Sequence, residues 1–209
     1  MSSIALMGLR ALSGKKGDGN LTFKRYAMYH ALRRDIGAIV NMSDSALSIS
    51  HSEPLVEFLA PNAAISRADY PEYNVLDLTL PDGEFPLVVS DQILEHVEGD
   101  PAQAMAEMIR VTAPGGVTVV TTCFINPVHG APKDFWRFTP DALALLAKRV
   151  APSSEILCIG QWGNYYLHML YGLGLSSRSV RPGRNLLTKL ANYNQANWPI
   201  STWIVLRRK

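Results

Sequence analysis

Three polar side chains in the segment NPVHGAPKDFWRFT have the types and spacing that acid–base chemistry needs. His129 lies in a loop bounded by Pro and Gly, and an imidazole, with an ordinary pKa of about 6.5, can act as a base at neutral pH. Asp134 could orient this imidazole, while Trp136 and Arg137 could form a wall and a contact for an anion or a hydroxyl. In the structural alternative, Asp134 and Arg137 pair to hold the loop and His129 caps it.

A second histidine, His96 in the segment LEHVEGD, is a further candidate, with a purely structural role as its alternative. Neither His96 nor His129 has the i, i+4 spacing to another ligand, or the cysteine partner, that is typical of a zinc site. The sequence therefore predicts no required metal.

The elements that must position these side chains alternate between strand and helix signals. The predicted helices cover residues 23–36, 53–59, 101–111 and 140–148, and the predicted strands cover residues 46–50, 63–66, 74–77, 85–91, 117–123, 155–159 and 202–206. This alternation predicts a Rossmann-like α/β fold with a seven-stranded, mostly parallel sheet and helices on both faces. Ligands of such sheets bind at the carboxyl ends of central strands, so chemistry is expected on the turns after Ser50, Ser66, Asp91 and Cys123.

The length of 209 residues predicts one domain, with an N-terminal segment at 1–22 and an insertion at 160–199 between the last two strands. Simple packing of two short helices is one interpretation of the insertion. The functional hypotheses are a lid over an acceptor pocket, which we favour, a homodimer contact, or a peripheral membrane contact. The membrane hypothesis depends on apolar side chains beside a basic hinge formed by Arg178, Arg181 and Arg184.

Charge and cysteine content exclude several classes of protein. The chain has 20 Lys and Arg residues against 18 Asp and Glu residues, a formal charge of +2, so no nucleic-acid partner is expected. Cys123 and Cys158 lie in apolar runs, which predicts reduced core residues and a cytoplasmic protein. No run reaches the ~18 apolar residues of a membrane span, and the first residues lack the features of a secretory signal.

The segment FPLVVSDQILEHVEGDPAQAMAEMIRVTAPGGVTVVTT combines a strand ending in an acidic-polar pair, a helix ending in an R-V-x-x-P-G-G turn, and a second strand. These elements, in this order, resemble the central motif block of class I S-adenosylmethionine-dependent methyltransferases. The following HGAPKDFWRFTPDALALL resembles a type 11-like subgroup associated with modification of bacterial polysaccharides and other small molecules. The resemblance implies S-adenosylmethionine as the cofactor and a small-molecule or glycan acceptor. For such a reaction we expect transfer to oxygen with His129 as the candidate base, although nitrogen acceptors stay open.

The resemblance also implies where the cofactor is bound. Asp69 would accept hydrogen bonds from the ribose, although it lies a few residues later than the usual acid, and Asp77 would serve the adenine side beside Leu76 or Leu78. Under the methionine end, a polar shelf is implied for three adjacent residues, Ser90, Asp91 and Gln92. The alternatives are that Asp69 only forms a turn and that Asp77 only caps a strand.

The glycine-rich loop of that family is absent, because Ser50, His51 and Ser52 stand in its place. Only glycine adopts positive φ without steric cost, so we expect this loop to turn differently or to stand further from the cofactor. The hydroxyls of Ser50 and Ser52 could then donate hydrogen bonds that backbone amides supply in a glycine turn.

Two rival functions remain open. The missing glycines motivate a catalytically inactive, methyltransferase-like binding protein in a biosynthetic complex. A nicotinamide-dependent oxidoreductase shares the sheet but usually needs a G-x-G-x-x-G turn, which is absent here.

Overall fold

The computed structural model describes residues 21–40, 43–130, 133–171 and 186–209. The described helices are α1 (Phe23–Val40), α2 (Glu53–Leu59), α3 (Pro101–Val111), α4 (Pro140–Val150), α5 (Tyr165–Tyr171) and α6 (Leu186–Asn192), with a 3-10 turn at Leu94–His96. The described strands are β1 (Ser45–Ile49), β2 (Ala64–Ala68), β3 (Phe85–Asp91), β4 (Thr112–Cys123), β5 (Glu155–Trp162) and β6 (Ser201–Arg207). The chain divides into two compact units, which we call the sheet unit (Leu32–Gln161 and Ser201–Lys209) and the second unit (Met1–Ala31 and Trp162–Ile200).

The described strands form one sheet in the order β2-β1-β3-β4-β6-β5. β1 pairs in parallel with β2 and β3, β3 pairs in parallel with β4, and β6 runs antiparallel to β4. The predicted α/β fold with a mostly parallel sheet is confirmed. The predicted number of seven strands is wrong for the described residues, which form a six-stranded sheet.

The missing strand is the one predicted at residues 74–77. Asn74 and Asp77 form only an isolated bridge, and the Asp77 N–H donates to the Asn74 carbonyl at 2.9 Å. The Asn74 side-chain oxygen also accepts from the Leu76 N–H at 3.0 Å. Asparagine side chains stabilise turns in this way, so local hydrogen bonding prevails over the apolar pattern of this short run.

The glycine pair in APGG lies inside β4, and not in a turn that precedes the strand. β4 begins at Thr112, paired with Phe85, and the register then shifts so that Val117 pairs with Leu87. The residues between form a bulge, in which Gly115 has a φ of 76° that favours glycine. The strand therefore starts earlier than the predicted position at 117.

Two helices of the sheet unit begin at side-chain caps. The Asp100 carboxylate accepts from the Ala102 N–H at 2.8 Å, and the Thr139 hydroxyl accepts from the Ala142 N–H at 3.1 Å. α3 and α4 pack on each other, and their apolar faces share one buried core with residues of β1, β3, β4 and β6. The caps fix where each helix starts, and the core fixes which face it buries.

Arg110, near the end of α3, ties that helix to residues 78–82. Its guanidinium donates to the carbonyls of Leu78 at 2.6 Å and Leu80 at 2.9 Å, and it also pairs with Glu107 and Asp82. The hydrogen bond from Arg110 lowers the pKa of Glu107 despite the partial burial of that carboxyl group. This network positions the segment that follows the turn at residues 74–77.

The described part of the second unit contains the start of α1 and two short helices, α5 and α6. The Trp162 indole donates to the Ala191 carbonyl at 2.8 Å, and the Asn164 amide donates to the carbonyls of Leu190 and Tyr193 at 3.0 and 2.8 Å. The basic hinge predicted at residues 178–184 and the first twenty residues lie outside the described residues. A single domain, the insertion at 160–199 and its lid, dimer or membrane role all stay predictions. Across the described helices, we find none with the length and apolarity that a membrane crossing requires.

Replacing Arg110 with Met should lower the free energy of unfolding by about 1.5–3 kcal/mol, because two carbonyls and the Glu107 carboxylate lose a charged donor. Chemical denaturation measures this loss. The matched control is Arg149→Met on an exposed position of α4, which should change the same free energy by less than about 0.5 kcal/mol. Equal losses in the two variants would mean that the Arg110 network does not stabilise the fold.

Candidate functional site

A cavity of about 510 Å³ lies at the carboxyl ends of β1, β2 and β3 in the sheet unit. Its lining comes from the turns that follow these three strands and from Phe135. Apolar and aromatic side chains form most of the wall, including Tyr70, Tyr73, Leu76 and Ile93. The polar lining residues are Ser50, His51, Asn74, His96 and Glu98. The volume and the mainly apolar lining with a few polar groups are typical of a small-molecule site.

The turn after β1 has a backbone that the sequence did not predict. Ser50 and His51 have φ angles of 45° and 64°, so both occupy the left-handed region. The expectation that the loop avoids the conformation favoured by glycine is therefore wrong, whereas the alternative that it stands further from the cofactor stays a prediction. The His51 N–H donates to the Asp69 carboxylate at 2.9 Å, and the Ser50 N–H donates to the Ala68 carbonyl at 3.0 Å. These contacts from the end of β2 hold the turn.

Ser52 has a structural position in the same turn. Its buried hydroxyl donates to the Ile49 carbonyl at 2.5 Å and accepts from the Asp91 N–H at 2.8 Å. The hydroxyl thus joins the ends of β1 and β3, and it is already engaged within the protein. Among the three residues that replace the glycine loop, only Ser50 and His51 line the cavity.

The two predicted acids take different positions. Asp69 lies beside the turn, where its second oxygen is 3.5 Å from His51 Nδ1. Asp77 is exposed and does not line the cavity, and Leu78 is buried in the core beneath it. Leu76 is the apolar side chain of this segment that lines the cavity. The cofactor roles of Asp69, Asp77 and Leu78 stay predictions.

Two of the three residues of the predicted polar shelf after β3, Ser90 and Asp91, are buried. Ser90 is buried, and its hydroxyl has no hydrogen-bond partner among the described residues. The Asp91 carboxylate accepts from the Thr121 hydroxyl at 2.7 Å, and Gln92, at a φ of 60°, donates its N–H to the Thr121 carbonyl at 3.0 Å. β3 and β4 are thus joined at their carboxyl ends, and the cofactor role of this shelf stays a prediction.

His129, Asp134 and Arg137 lie together in the loop after β4. The buried Asp134 carboxylate accepts from the His129 N–H at 2.8 Å, pairs with the Arg137 guanidinium through both oxygens and lies 3.2 Å from His129 Nδ1. The Arg137 hydrogen bonds hold the pKa of Asp134 well below its usual range. The Asp134–Arg137 pair expected by the structural interpretation is present, and so is the contact between Asp134 and His129 expected by the catalytic one. The catalytic roles of His129, Asp134 and Arg137 stay predictions.

The loop that carries His129 is anchored to the 3-10 turn. The N–H groups of Phe135 and Trp136 donate to the Glu95 carbonyl at 2.8 and 3.1 Å, and the Trp136 indole donates to the Val97 carbonyl at 2.9 Å. These bonds place His129 beside His96, with ring centroids 5.0 Å apart.

Glu95 is the polar residue of this region that the sequence analysis missed. It is fully buried, and the Thr122 hydroxyl donates to its Oε2 at 2.9 Å. Burial raises the pKa of its carboxyl group, although that hydrogen bond and the His96 charge act in the opposite direction. Burial also raises the pKa of the Cys123 thiol to about 12, with the Glu95 charge contributing. Cys123 is thus a protonated core residue, as predicted. Cys158 is also free but only partly buried, so the prediction that it lies in the core is wrong.

Comparisons with known proteins give a family match over part of the chain. Residues 37–120 match a family model described as a methyltransferase domain. A protein of Mycolicibacterium smegmatis, named as a probable S-adenosylmethionine-dependent methyltransferase, is 30% identical over 138 residues, which cover 58% of this chain. The chain spans about half the length of this curated relative, 52%.

Several solved structures share the fold at low sequence identity. The cyclase SpnF has a TM-score of 0.55 at 12% identity, and the match covers 98% of this chain and 92% of that chain. A methyltransferase of Burkholderia thailandensis, solved with S-adenosylhomocysteine, has a TM-score of 0.54 at 12% identity, with 90% of this chain and 78% of that chain covered. A SAM-dependent methyltransferase of Aquifex aeolicus has a TM-score of 0.53 at 8% identity and covers 98% of both chains. These matches show a common fold.

The left-handed conformation of His51 predicts opposite effects for two substitutions. His51→Gly should keep or slightly raise the free energy of unfolding, because glycine adopts this φ without strain and the imidazole is 76% exposed. His51→Val should lower it by about 1–2 kcal/mol, because a β-branched residue is unfavourable there. Thermal or chemical unfolding of both variants measures the difference. If Val is tolerated as well as Gly, the turn does not have this conformation.

Proposed function

We propose that this protein is an S-adenosylmethionine-dependent methyltransferase that acts on a small-molecule or glycan acceptor. The observation that carries the proposal is the cavity at the carboxyl ends of β1, β2 and β3, bordered by the left-handed turn at Ser50 and His51. In open α/β sheets this edge is where nucleotide-like ligands bind. The methyltransferase family match over residues 37–120 supports the choice of cofactor.

The cofactor would lie with its methionine end near the turn after β1 and its adenosine along the segment after β2. Ser50 and His51 bring backbone close to the cavity, where polar ligand groups need donors and acceptors. Leu76, Tyr73 and Ile93 offer apolar contacts suited to the two faces of a purine ring. Asp69 accepts the His51 N–H through one oxygen, and we assign its other oxygen, 3.5 Å from His51 Nδ1, as the acceptor for the ribose.

Methyl transfer is an in-line displacement in which the C–S bond breaks with its electron pair on sulfur and the acceptor forms a bond to carbon. The protein must therefore position the acceptor and, for a hydroxyl, remove its proton. We assign proton removal to His129, whose imidazole is 39% exposed and is oriented by the buried Asp134. Arg137 contributes by holding Asp134 in place.

Two parts of the sequence interpretation belong to this proposal without further support. Transfer to oxygen is inferred from the choice of His129 as base, and a polysaccharide-type acceptor is inferred from the resemblance of the segment HGAPKDFWRFT. The lid role of residues 160–199, the cytoplasmic location and a homodimer likewise stay predictions.

Calorimetric titration with S-adenosylhomocysteine and NAD tests the choice of cofactor against both rival functions. We expect a saturable heat with S-adenosylhomocysteine and none with NAD. Binding of NAD alone would favour the oxidoreductase. A folded protein that binds neither would favour the inactive binding protein and would contradict the proposal.

Asp69→Ala should weaken S-adenosylhomocysteine binding by about 10- to 150-fold, which corresponds to the 1.5–3 kcal/mol of hydrogen bonds to a charged group. The physical reason is that the carboxylate both holds the His51 N–H and offers the ribose an acceptor. Glu72→Ala, an exposed acid three residues later with the same change of charge, is the control and should leave the dissociation constant unchanged. Equal dissociation constants for the two variants would mean that Asp69 does not contribute to cofactor binding.

His129→Ala should lower turnover by roughly 10²–10⁴ while the affinity for S-adenosylhomocysteine stays the same. A panel of phenols, sugars and small amines is first screened for a compound that supports turnover. Turnover with that compound is then measured as S-adenosylhomocysteine release. Lys133→Ala in the same loop is the control, because its exposed pair with Glu98 contributes little. If the His129 variant keeps its turnover, the loop is a scaffold and the base lies elsewhere.

A further inference from the structure

Glu95, His96 and His129 form a cluster that the proposed cofactor site does not use as a unit. One ligating atom from each residue lies within 4.8 Å of the others. Glu95 and His96 are adjacent in the 3-10 turn after β3, and His129 lies in the loop after β4. Because β3 and β4 are parallel neighbours, their carboxyl ends bring these residues together.

Both imidazoles are oriented through their Nδ1 atoms. His96 Nδ1 lies 2.5 Å from the Lys133 carbonyl oxygen. His129 Nδ1 lies 3.2 Å from both the Asp134 carboxylate and the Pro127 carbonyl oxygen, which are acceptors, and 3.0 Å from the Asn126 amide nitrogen. Metal-bound histidines are held in the same way, by a carbonyl or a carboxylate on the nitrogen that does not bind the metal. A proton on each Nδ1, donated to these oxygen acceptors, would leave both Nε2 atoms unprotonated and able to bind a metal.

The Glu95 carboxylate gives independent support for a bound cation in this cluster. Its Oε2 accepts from the Thr122 hydroxyl, which fixes the side chain, whereas its buried Oε1 has no hydrogen-bond partner among the described residues. A buried carboxylate oxygen without a donor costs about 1–3 kcal/mol or more. A cation beside Oε1 would remove this cost.

We propose that Glu95, His96 and His129 bind a divalent transition metal, with zinc as the ion that best fits two imidazoles and one carboxylate. Zinc sites with three such ligands keep a fourth position open for water or a substrate oxygen. His96 also lines the cavity, so the site borders the space assigned to the cofactor and acceptor.

This proposal revises the prediction that no metal is required. That prediction relied on sequence spacing, and His96 and His129 lie far apart in the chain. The structure joins them through two neighbouring strands and adds Glu95, which the spacing did not single out.

Zinc binding itself is independent of methyl transfer, whereas its use in catalysis rests on the proposed function. A hydroxyl acceptor bound at the open position would have a lower pKa and would lose its proton to water. The resulting oxygen anion would attack the methyl carbon, and the electron pair of the C–S bond would stay on sulfur. In the zinc-bound protein His129 would be a metal ligand, so loss of the acceptor proton to water would take the place of proton removal by the His129 imidazole.

The test uses tag-free full-length protein, stripped with a chelator and titrated with zinc chloride by calorimetry and with cobalt chloride by visible absorption. We expect one zinc per chain and a cobalt spectrum typical of tetrahedral coordination with nitrogen ligands. Glu95→Gln, which keeps the shape of the side chain, should weaken zinc binding by at least about 100-fold, since even outer contacts of metal sites are worth 10- to 100-fold. His129→Ala should have a similar effect.

His51→Ala is the matched control, because His51, Glu53 and Asp69 form the other cluster of ligating atoms among the described residues. Its zinc affinity should equal that of the unchanged protein. The proposal is overturned if the folded protein binds no zinc, or if Glu95→Gln and His129→Ala both bind zinc as tightly as the unchanged protein. Circular dichroism of each variant confirms folding. S-adenosylhomocysteine titration of the same samples separates this proposal from the proposed function, since either binding reaction can fail without the other.

Discussion

The turn that follows β1 is the constraint on which the candidate site depends. The chain passes through left-handed conformations at Ser50 and His51, and each costs about 1–2 kcal/mol for a residue other than glycine. Contacts from neighbouring strands offset this cost: Asp69 accepts the His51 N–H, and the Ser52 hydroxyl joins the end of β1 to the Asp91 N–H. Without this support the turn would relax, and the wall of the cavity would move with it.

The same constraint explains why the loss of glycine need not remove a ligand site. A glycine turn lets a ligand approach the backbone because no side chain intervenes. Here the His51 imidazole is largely exposed, and the Ser50 side chain is small. The local geometry therefore keeps backbone near the cavity while the sequence motif is lost.

Most of the fold could be predicted because its signals are local. The predicted helix at 101–111 matches α3, and the predicted strands at 85–91 and 117–123 match β3 and the second part of β4. The predicted strand at residues 74–77 failed because the Asn74 side chain bonds to the backbone two residues later, which an apolar pattern does not reveal. The early start of β4 depends on pairing with Phe85, which is a contact between distant residues.

The candidate site was less predictable for the same reason. His129, Asp134 and Arg137 lie close in sequence, so their contact could be predicted from one loop. The role of Glu95 could not, because its burial results from the Thr122 contact and the overlying loop, which come from distant parts of the chain. A charged residue beside buried Leu94 and Val97 was the available signal.

A crystal structure with S-adenosylhomocysteine tests the central claim most directly, namely that a cofactor binds against the glycine-free turn. The account predicts that the amino-acid end of the ligand lies within hydrogen-bond distance of the backbone at Ser50 or His51, with both residues still at positive φ. It also predicts that the adenine contacts Leu76. A ligand bound away from this turn, or a turn that rearranges to ordinary φ angles when the ligand binds, would contradict the account.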